Sequence, residues 1–184
     1  MQDLGIIDLF FARDEQAIKE TDAKYGKLCH RVAYNVLHSN EDAEECVNDA
    51  YMGVWNAIPP TRPTNLKAFV CKITRNLSLK RLEAMSRQKR SHTMTVPLDE
   101  LAAVLADESV ASDTSDEEIG ALISRFLREE REAVRNVFIR RYFFFDPIDD
   151  IASRYSFSPS KVKTMLHRTR AKLKAYLIKE GVAL

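Results

Sequence analysis

From Ala43 to Ile58 the residues Ala43, Cys46, Val47, Ala50, Tyr51, Val54, Trp55 and Ile58 fall on one apolar stripe. Its 3.6-residue period predicts an amphipathic helix. The opposite face carries Glu41, Asp42, Glu45, Asn48 and Asp49, polar groups that the fold itself should hardly need. "IPPTRPT" ends this helix, because proline lacks a backbone N–H and drives its predecessor into an extended conformation. Beyond it, Leu66, Phe69, Val70, Ile73 and Leu77 predict a second buried stripe, with Lys72, Arg75 and Asn76 projecting elsewhere. Upstream, Asp14 marks an N-cap for a first helical stretch, and Leu28, Val32, Val36 and Leu37 mark another.

The C-terminal part repeats the helical period. Val134, Val137, Phe138 and Tyr142 share one face of a long helix. Asp146-Pro147 then offers an N-cap followed by proline at the first helical position, with Asp149 and Asp150 at the positive end of the helix dipole. Ser158-Pro159 repeats this start signal. The last helix buries Val162, Met165, Leu166, Thr169, Leu173, Tyr176 and Leu177, and turns Ser160, Lys161, Thr164, His167 and Arg168 outward, flanked by Lys163, Arg170 and Lys172. Two helices separated by "SFS", the second one basic, read as a helix-turn-helix whose second helix enters a major groove. No stretch alternates apolar and polar residues for long, so the fold class is all-α.

Between the two parts, residues 91–120 hold no Lys or Arg and are rich in Ser, Asp and Ala. They read as an acidic linker, with "LAAVLA" as a helical turn or docking element. The expected organisation is a helical bundle over 1–90, a linker over 91–120 and a helix-turn-helix domain over 121–184.

Charge sharpens this picture. The formal net charge is only +1, but residues 1–61 carry −6, residues 62–90 carry +8, residues 91–120 carry −8 and residues 121–184 carry +7. Two basic blocks on either side of an acidic one suit a nucleic acid held at two places. The run "RRYFFFDPIDDIA" (140–152) lies where the support helix meets the helix-turn-helix, so its rings read as a core-capping corner. Neither a base-stacking platform nor a membrane patch fits that position as well.

Cys29, Cys46 and Cys71 show no metal-ligand spacing, and no nucleophile–base set or phosphate loop is visible. No catalytic, metal or cofactor site is therefore expected. No apolar run approaches the roughly 18 residues of a membrane span, and "MQDLGIIDLFFARDE" has acids where a signal peptide carries bases. The expected location is the cytoplasm.

These motifs together resemble the extracytoplasmic-function (ECF) group of RNA polymerase sigma factors, within the sigma-70 family. "DAEECVNDAYMGVW" (42–55) is similar to that family's region-two helix, and "AFVCKITRNLSLKRL" (68–82) to its promoter-reading helix with the Arg75-Asn76 pair. "DIASRYSFSPSKVKTMLHRTRAKL" (150–173) resembles region four. Three departures stand out. Ser156 replaces the usual turn Gly, which costs up to about 1 kcal/mol if that residue is left-handed. Lys161 and Met165 stand where Thr and Arg are frequent. The corner, usually Tyr-Phe-x-Gly-x-Ser, reads "YFFFDP" and lacks its Gly.

The resemblance implies that region two binds core RNA polymerase through Asp42, Glu45, Asn48 and Asp49. It implies that Arg62, Asn65, Lys72, Arg75, Asn76 and Lys80 serve the minus-ten element. Phe69 is the one aromatic within 62–90, so base capture would fall to the 58–65 loop. Ser160, Lys161, Lys163, Thr164, His167 and Arg168 would read the minus-thirty-five element. Promoter DNA and core polymerase are the expected partners, with an anti-sigma factor as a further candidate and no membrane insertion. The rival reading is a stand-alone helix-turn-helix regulator of duplex DNA, which has no evident use for the acidic face of 41–49.

Overall fold

The computed structural model describes residues 1–89, Pro97, Glu100 and residues 116–182. Most of the segment read as a linker, "LAAVLA" included, lies outside them. The chain divides into two compact units, Met1–Thr93 and Met94–Leu184. Among the described residues both units are helical and neither contains a strand.

The first unit packs α2 (Gln16–Leu37), α3 (Asn40–Ala57) and α4 (Leu66–Lys89) against one another, with α1 (Asp3–Phe11) laid on α2. The pattern analysis had no helix at α1, although Ile6, Ile7 and Phe10 are buried there. The two stretches expected after Asp14 are one helix of 22 residues. Thr21 and Tyr25 join their stripes by hiding polar atoms: the Thr21 hydroxyl donates to the Ala17 carbonyl at 2.7 Å, and the Tyr25 hydroxyl donates to Asp3 at 2.5 Å. Asp14 lies one residue too early to be the N-cap, a position Glu15 takes, but its carboxylate accepts the Gln16 N–H at 2.9 Å.

The α3 stripe is buried as its period predicts, except that Trp55 is half-buried and meets Phe10 edge-on at 6.1 Å. Ser39 caps its N-terminus by accepting the Asp42 N–H. On α4 the buried face is rotated from the predicted one. Leu66, Val70, Cys71, Thr74 and Ser78 are buried, while Phe69, Ile73 and Leu77 are half-buried. Thr74 and Ser78 can face inward because each hydroxyl donates to the carbonyl four residues earlier, at 3.0 and 2.8 Å. Cys46 Sγ lies 3.2 Å from the Ser78 hydroxyl. All three cysteines are buried free thiols.

The second unit comprises α5 (Asp116–Glu129), α6 (Glu132–Tyr142), α7 (Ile148–Tyr155) and α8 (Pro159–Lys179). Its first helix begins within the segment read as linker, and the long helix expected ahead of the corner breaks at Glu130-Arg131. Phe126, Val137, Phe138, Tyr142, Ile151, Val162, Leu166, Leu173 and Leu177 form the core.

The corner corrects a sequence expectation. Asp146 does not cap α7; Pro147 occupies the N-cap position without a side-chain cap. Asp146 is instead 1% exposed and ion-paired with Arg140. Phe145 is buried, whereas Phe143 and Phe144 are half-buried and meet edge-on at 5.1 Å. Ser158, by contrast, caps α8 as expected, accepting the Lys161 N–H at 3.2 Å with Pro159 in the first turn.

Both sites where the resemblance leads one to expect Gly have left-handed backbone, Phe145 at φ 56° and Ser156 at φ 53°. A left-handed non-glycine residue costs about 1–2 kcal/mol, of which glycine's greater unfolded-state entropy returns roughly 0.5–1. Ser156 is exposed, so Ser156→Gly should stabilise the second unit by about 0.5–1 kcal/mol and raise its melting temperature by a few degrees. Phe145→Gly should do the reverse. Losing a buried ring costs roughly 3–5 kcal/mol, which exceeds the relieved strain. Calorimetry of the full chain distinguishes the two signs.

Candidate nucleic-acid and partner interfaces

The acidic face of α3 is not idle. Asn48 and Asp49 are exposed, but Asp42 is half-buried. Arg81, reaching across from α4, donates to Asp42 Oδ1 through Nη2 at 2.7 Å and Nε at 3.0 Å, and to Glu45 Oε2 through Nη2 at 2.6 Å. Two of the four predicted docking residues thus also tie α3 to α4, which corrects the expectation that the fold hardly needs them. The bond from Arg81 holds the Glu45 carboxyl below the usual carboxylate range. Beside this face an open groove of about 490 Å³ is lined by Asp22, Gly26, Lys27, His30, Glu44, Val47 and Asn48. Gly26 is needed there, because a Cβ would stand 2.4 Å from Asp22 Oδ1, the atom that accepts the Tyr51 hydroxyl at 2.7 Å. Burial and that bond push the Tyr51 pKa upward.

The predicted minus-ten residues divide by environment. Lys72, Asn76 and Lys80 are exposed at four-residue spacing, forming one row along α4. Arg75 is half-buried, burial lowers its pKa, and its Nη2 lies 3.4 Å from Asn76 Oδ1. Asn65 accepts the Ala68 N–H at 2.9 Å at the start of α4. Arg62 pairs with Asp8 of α1 at 2.5 Å and lies over the Phe11 ring at 5.1 Å. The geometry therefore brings three of these residues together on an open row and engages the other three within the fold.

On α8 the six predicted residues Ser160, Lys161, Lys163, Thr164, His167 and Arg168 are all exposed. The core residues Val162, Leu166 and Thr169 define the opposite face. The Lys161 ammonium sits 3.7 Å from the Phe157 ring centroid, a cation–π contact that orients it at the helix start. Thr164 donates its hydroxyl to the Ser160 carbonyl at 3.0 Å.

Sequence reasoning missed Arg81, because nothing local marks an arginine as the partner of acids 36 and 39 positions away. It also missed a second groove on the first unit, about 340 Å³, lined by Glu15, Ile18, Lys19, Met52 and Trp55. Among the described residues no group of His, Cys, Asp and Glu could hold a metal ion.

Residues 23–88 match the family model of sigma-70 region 2, which spans most of α2, all of α3 and nearly all of α4. The matched stretch of the first unit is therefore similar to region 2 of the sigma-70 family, whose members are non-enzymatic transcription initiation factors. A search of curated proteins returns no match.

The Arg81 clamp has a measurable signature. A folded-state pKa held below its unfolded value stabilises the fold above the unfolded value, and that contribution is lost as pH falls through the folded one. In Arg81→Met the Glu45 titration should return upward to the ordinary carboxylate range. Carboxyl-carbon NMR between pH 2 and 7 reads this shift directly, and an unmoved Glu45 midpoint would refute the clamp.

Proposed function

We propose that this protein is an ECF-type sigma factor that docks on core RNA polymerase and directs it to two-part promoters from the cytoplasm. The observation that carries the reading is the pairing, within the region 2 match, of an acidic face on α3 with the open Lys72–Asn76–Lys80 row on α4. An acidic surface steers and registers a basic protein partner, while a basic row attracts the DNA backbone.

On this reading Asn48 and Asp49 make the direct polymerase contacts, joined by Asp42 and Glu45 through the Arg81 clamp. Lys72, Arg75, Asn76 and Lys80 serve the minus-ten element, with Arg62 and Asn65 shaping the loop before α4. The second unit acts as region four. Its Ser158-capped α8 is supported as the minus-thirty-five reader by the unbroken exposure of Ser160, Lys161, Lys163, Thr164, His167 and Arg168. The segment between α4 and α5 links the two, and an anti-sigma factor is a candidate regulator. No described helix is long and apolar enough to cross a membrane.

Asp49 is exposed, and exposed charges contribute less than about 1 kcal/mol to stability. Asp49→Lys should therefore melt like the wild type. Set against a basic partner the new like charge costs several kcal/mol, so co-purification with core polymerase should fall at least about a hundredfold. Wild-type assembly by Asp49→Lys would remove α3 as the docking face. Tight binding of promoter duplex without polymerase would favour the stand-alone regulator.

Arg168→Ala tests the other end. A good base contact is worth about 1–3 kcal/mol, so specific promoter binding should weaken about 5- to 150-fold while random DNA changes little. Equal loss on both would make Arg168 a phosphate contact only.

A further inference from the structure

The second unit buries cations beside one another. Arg141, at the end of α6, is 7% exposed, and Arg170, midway along α8, has a side chain 15% exposed. Guanidiniums so placed repel each other and have lost most of their hydration, so an anion has to stand with them. That anion is Glu100, which comes from the segment that holds no Lys or Arg.

Arg141 grips Glu100 with both prongs, Nη2 to Oε1 at 2.6 Å and Nε to Oε2 at 3.3 Å. Oε2 also accepts the Tyr142 hydroxyl at 3.3 Å and lies 3.5 Å from Arg170 Nη1. Arg170 donates in turn to the Tyr142 oxygen at 2.5 Å, which aligns the phenol as a donor. Burial raises the Tyr142 pKa, so the phenol keeps its proton. The Arg141 guanidinium is held in place from behind, donating Nη1 to the Asp146 carbonyl at 3.2 Å. Pro97, close before Glu100, is buried. A forked guanidinium, a second guanidinium and a fixed phenol form a site built for a carboxylate.

We infer that Arg141, Tyr142 and Arg170 form a carboxylate-binding site whose occupant is this chain's own Glu100, and that its occupancy sets the length of the tether between the two folded units. Helix α4 ends at Lys89 and α5 begins at Asp116. With the site empty, residues 90–115 connect them, a chain that reaches at most about 90 Å at roughly 3.3–3.6 Å per residue. With Glu100 seated on the second unit, only residues 90–99 remain in the tether, and the limit falls to about 35 Å. Residues 101–115 then start and finish on the same unit and drop out of the tether. Resting on the sigma-factor reading, the tether bounds how far apart two promoter elements can stand and still be held by one chain.

The test needs neither polymerase nor DNA, so its failure and the failure of the sigma-factor reading are separate results. The native thiols are buried, so spin labels can be placed at Ala23→Cys and Ala175→Cys, both exposed positions. In the otherwise wild-type chain the distance distribution should be bounded. In Glu100→Ala its upper limit should move outward by tens of ångströms, and in Glu100→Gln, which keeps an acceptor but no charge, it should move by less. Glu108→Ala removes an acid of the same segment and should change nothing. An unmoved limit in both Glu100 variants overturns the inference, as does an equal lengthening in Glu108→Ala. Circular dichroism showing full helix content in Glu100→Ala assigns the lengthening to the lost anchor, whereas lost helix content with an unmoved Glu100→Gln limit counts against it.

Discussion

A guanidinium taken out of water has to take an anion with it, and much of this protein's tertiary structure follows from that requirement. Arg81, with 29% of its side chain still exposed, pairs with Asp42 and Glu45 and so links α4 to α3. Arg140 satisfies the requirement with Asp146, which bends the chain between α6 and α7. Arg141 and Arg170 satisfy it with Glu100. Such pairs add little net stability over apolar packing, yet removing one partner leaves a charge stranded and is strongly destabilising.

The same requirement sorts the basic residues by task. Arginine's flat, forked head suits a buried pair, whereas lysine's compact, strongly hydrated ammonium favours open surface. In the first unit Arg75 and Arg81 turn into the structure and Arg62 leans on α1, while Lys72 and Lys80 stay in water. In the second unit Arg140, Arg141 and Arg170 are drawn inward, and Lys161, Lys163 and Arg168 remain outside. A block charge of +8 or +7 read from the sequence thus overstates the charge that DNA would meet. Lys72 and Lys80 on α4 and Lys161, Lys163 and Arg168 on α8 are among the cations that stay exposed.

What the sequence disclosed depended on how much of each signal was local. The α3 stripe was legible because its apolar residues run unbroken through four turns. Helix α1 was not, since nine residues without a side-chain cap barely express a period. On α4 the hydrophobic pattern pointed to Phe69, Ile73 and Leu77, whereas Thr74 and Ser78 take the buried positions by bonding their own backbone, a solution invisible to a hydropathy count. Ser158 and Asp146 carried the same start signal before proline. The first caps its helix, but the second lies within reach of Arg140, and a charged partner outcompetes a backbone N–H. The outward face of α8 was readable because its core stripe fixes it. The partners of Arg81 and Arg141 were not, since they lie 36 to 41 positions away.

The aromatic corner shows the same trade in another form. A domain this small buries a limited share of its surface, so each large ring counts. Phe145 holds a left-handed backbone conformation that glycine would adopt freely, and in return it places a whole ring in the interior at 3% exposure. Its neighbours share the load unequally. Tyr142 joins the core and lends its hydroxyl to Arg170, while Arg140 lies over the Phe144 ring at 4.6 Å and pairs with Asp146. The four consecutive aromatics are thus neither a stacking platform nor a greasy patch. They form the corner between α6 and α7, where burying the Phe145 ring offsets the cost of its left-handed backbone.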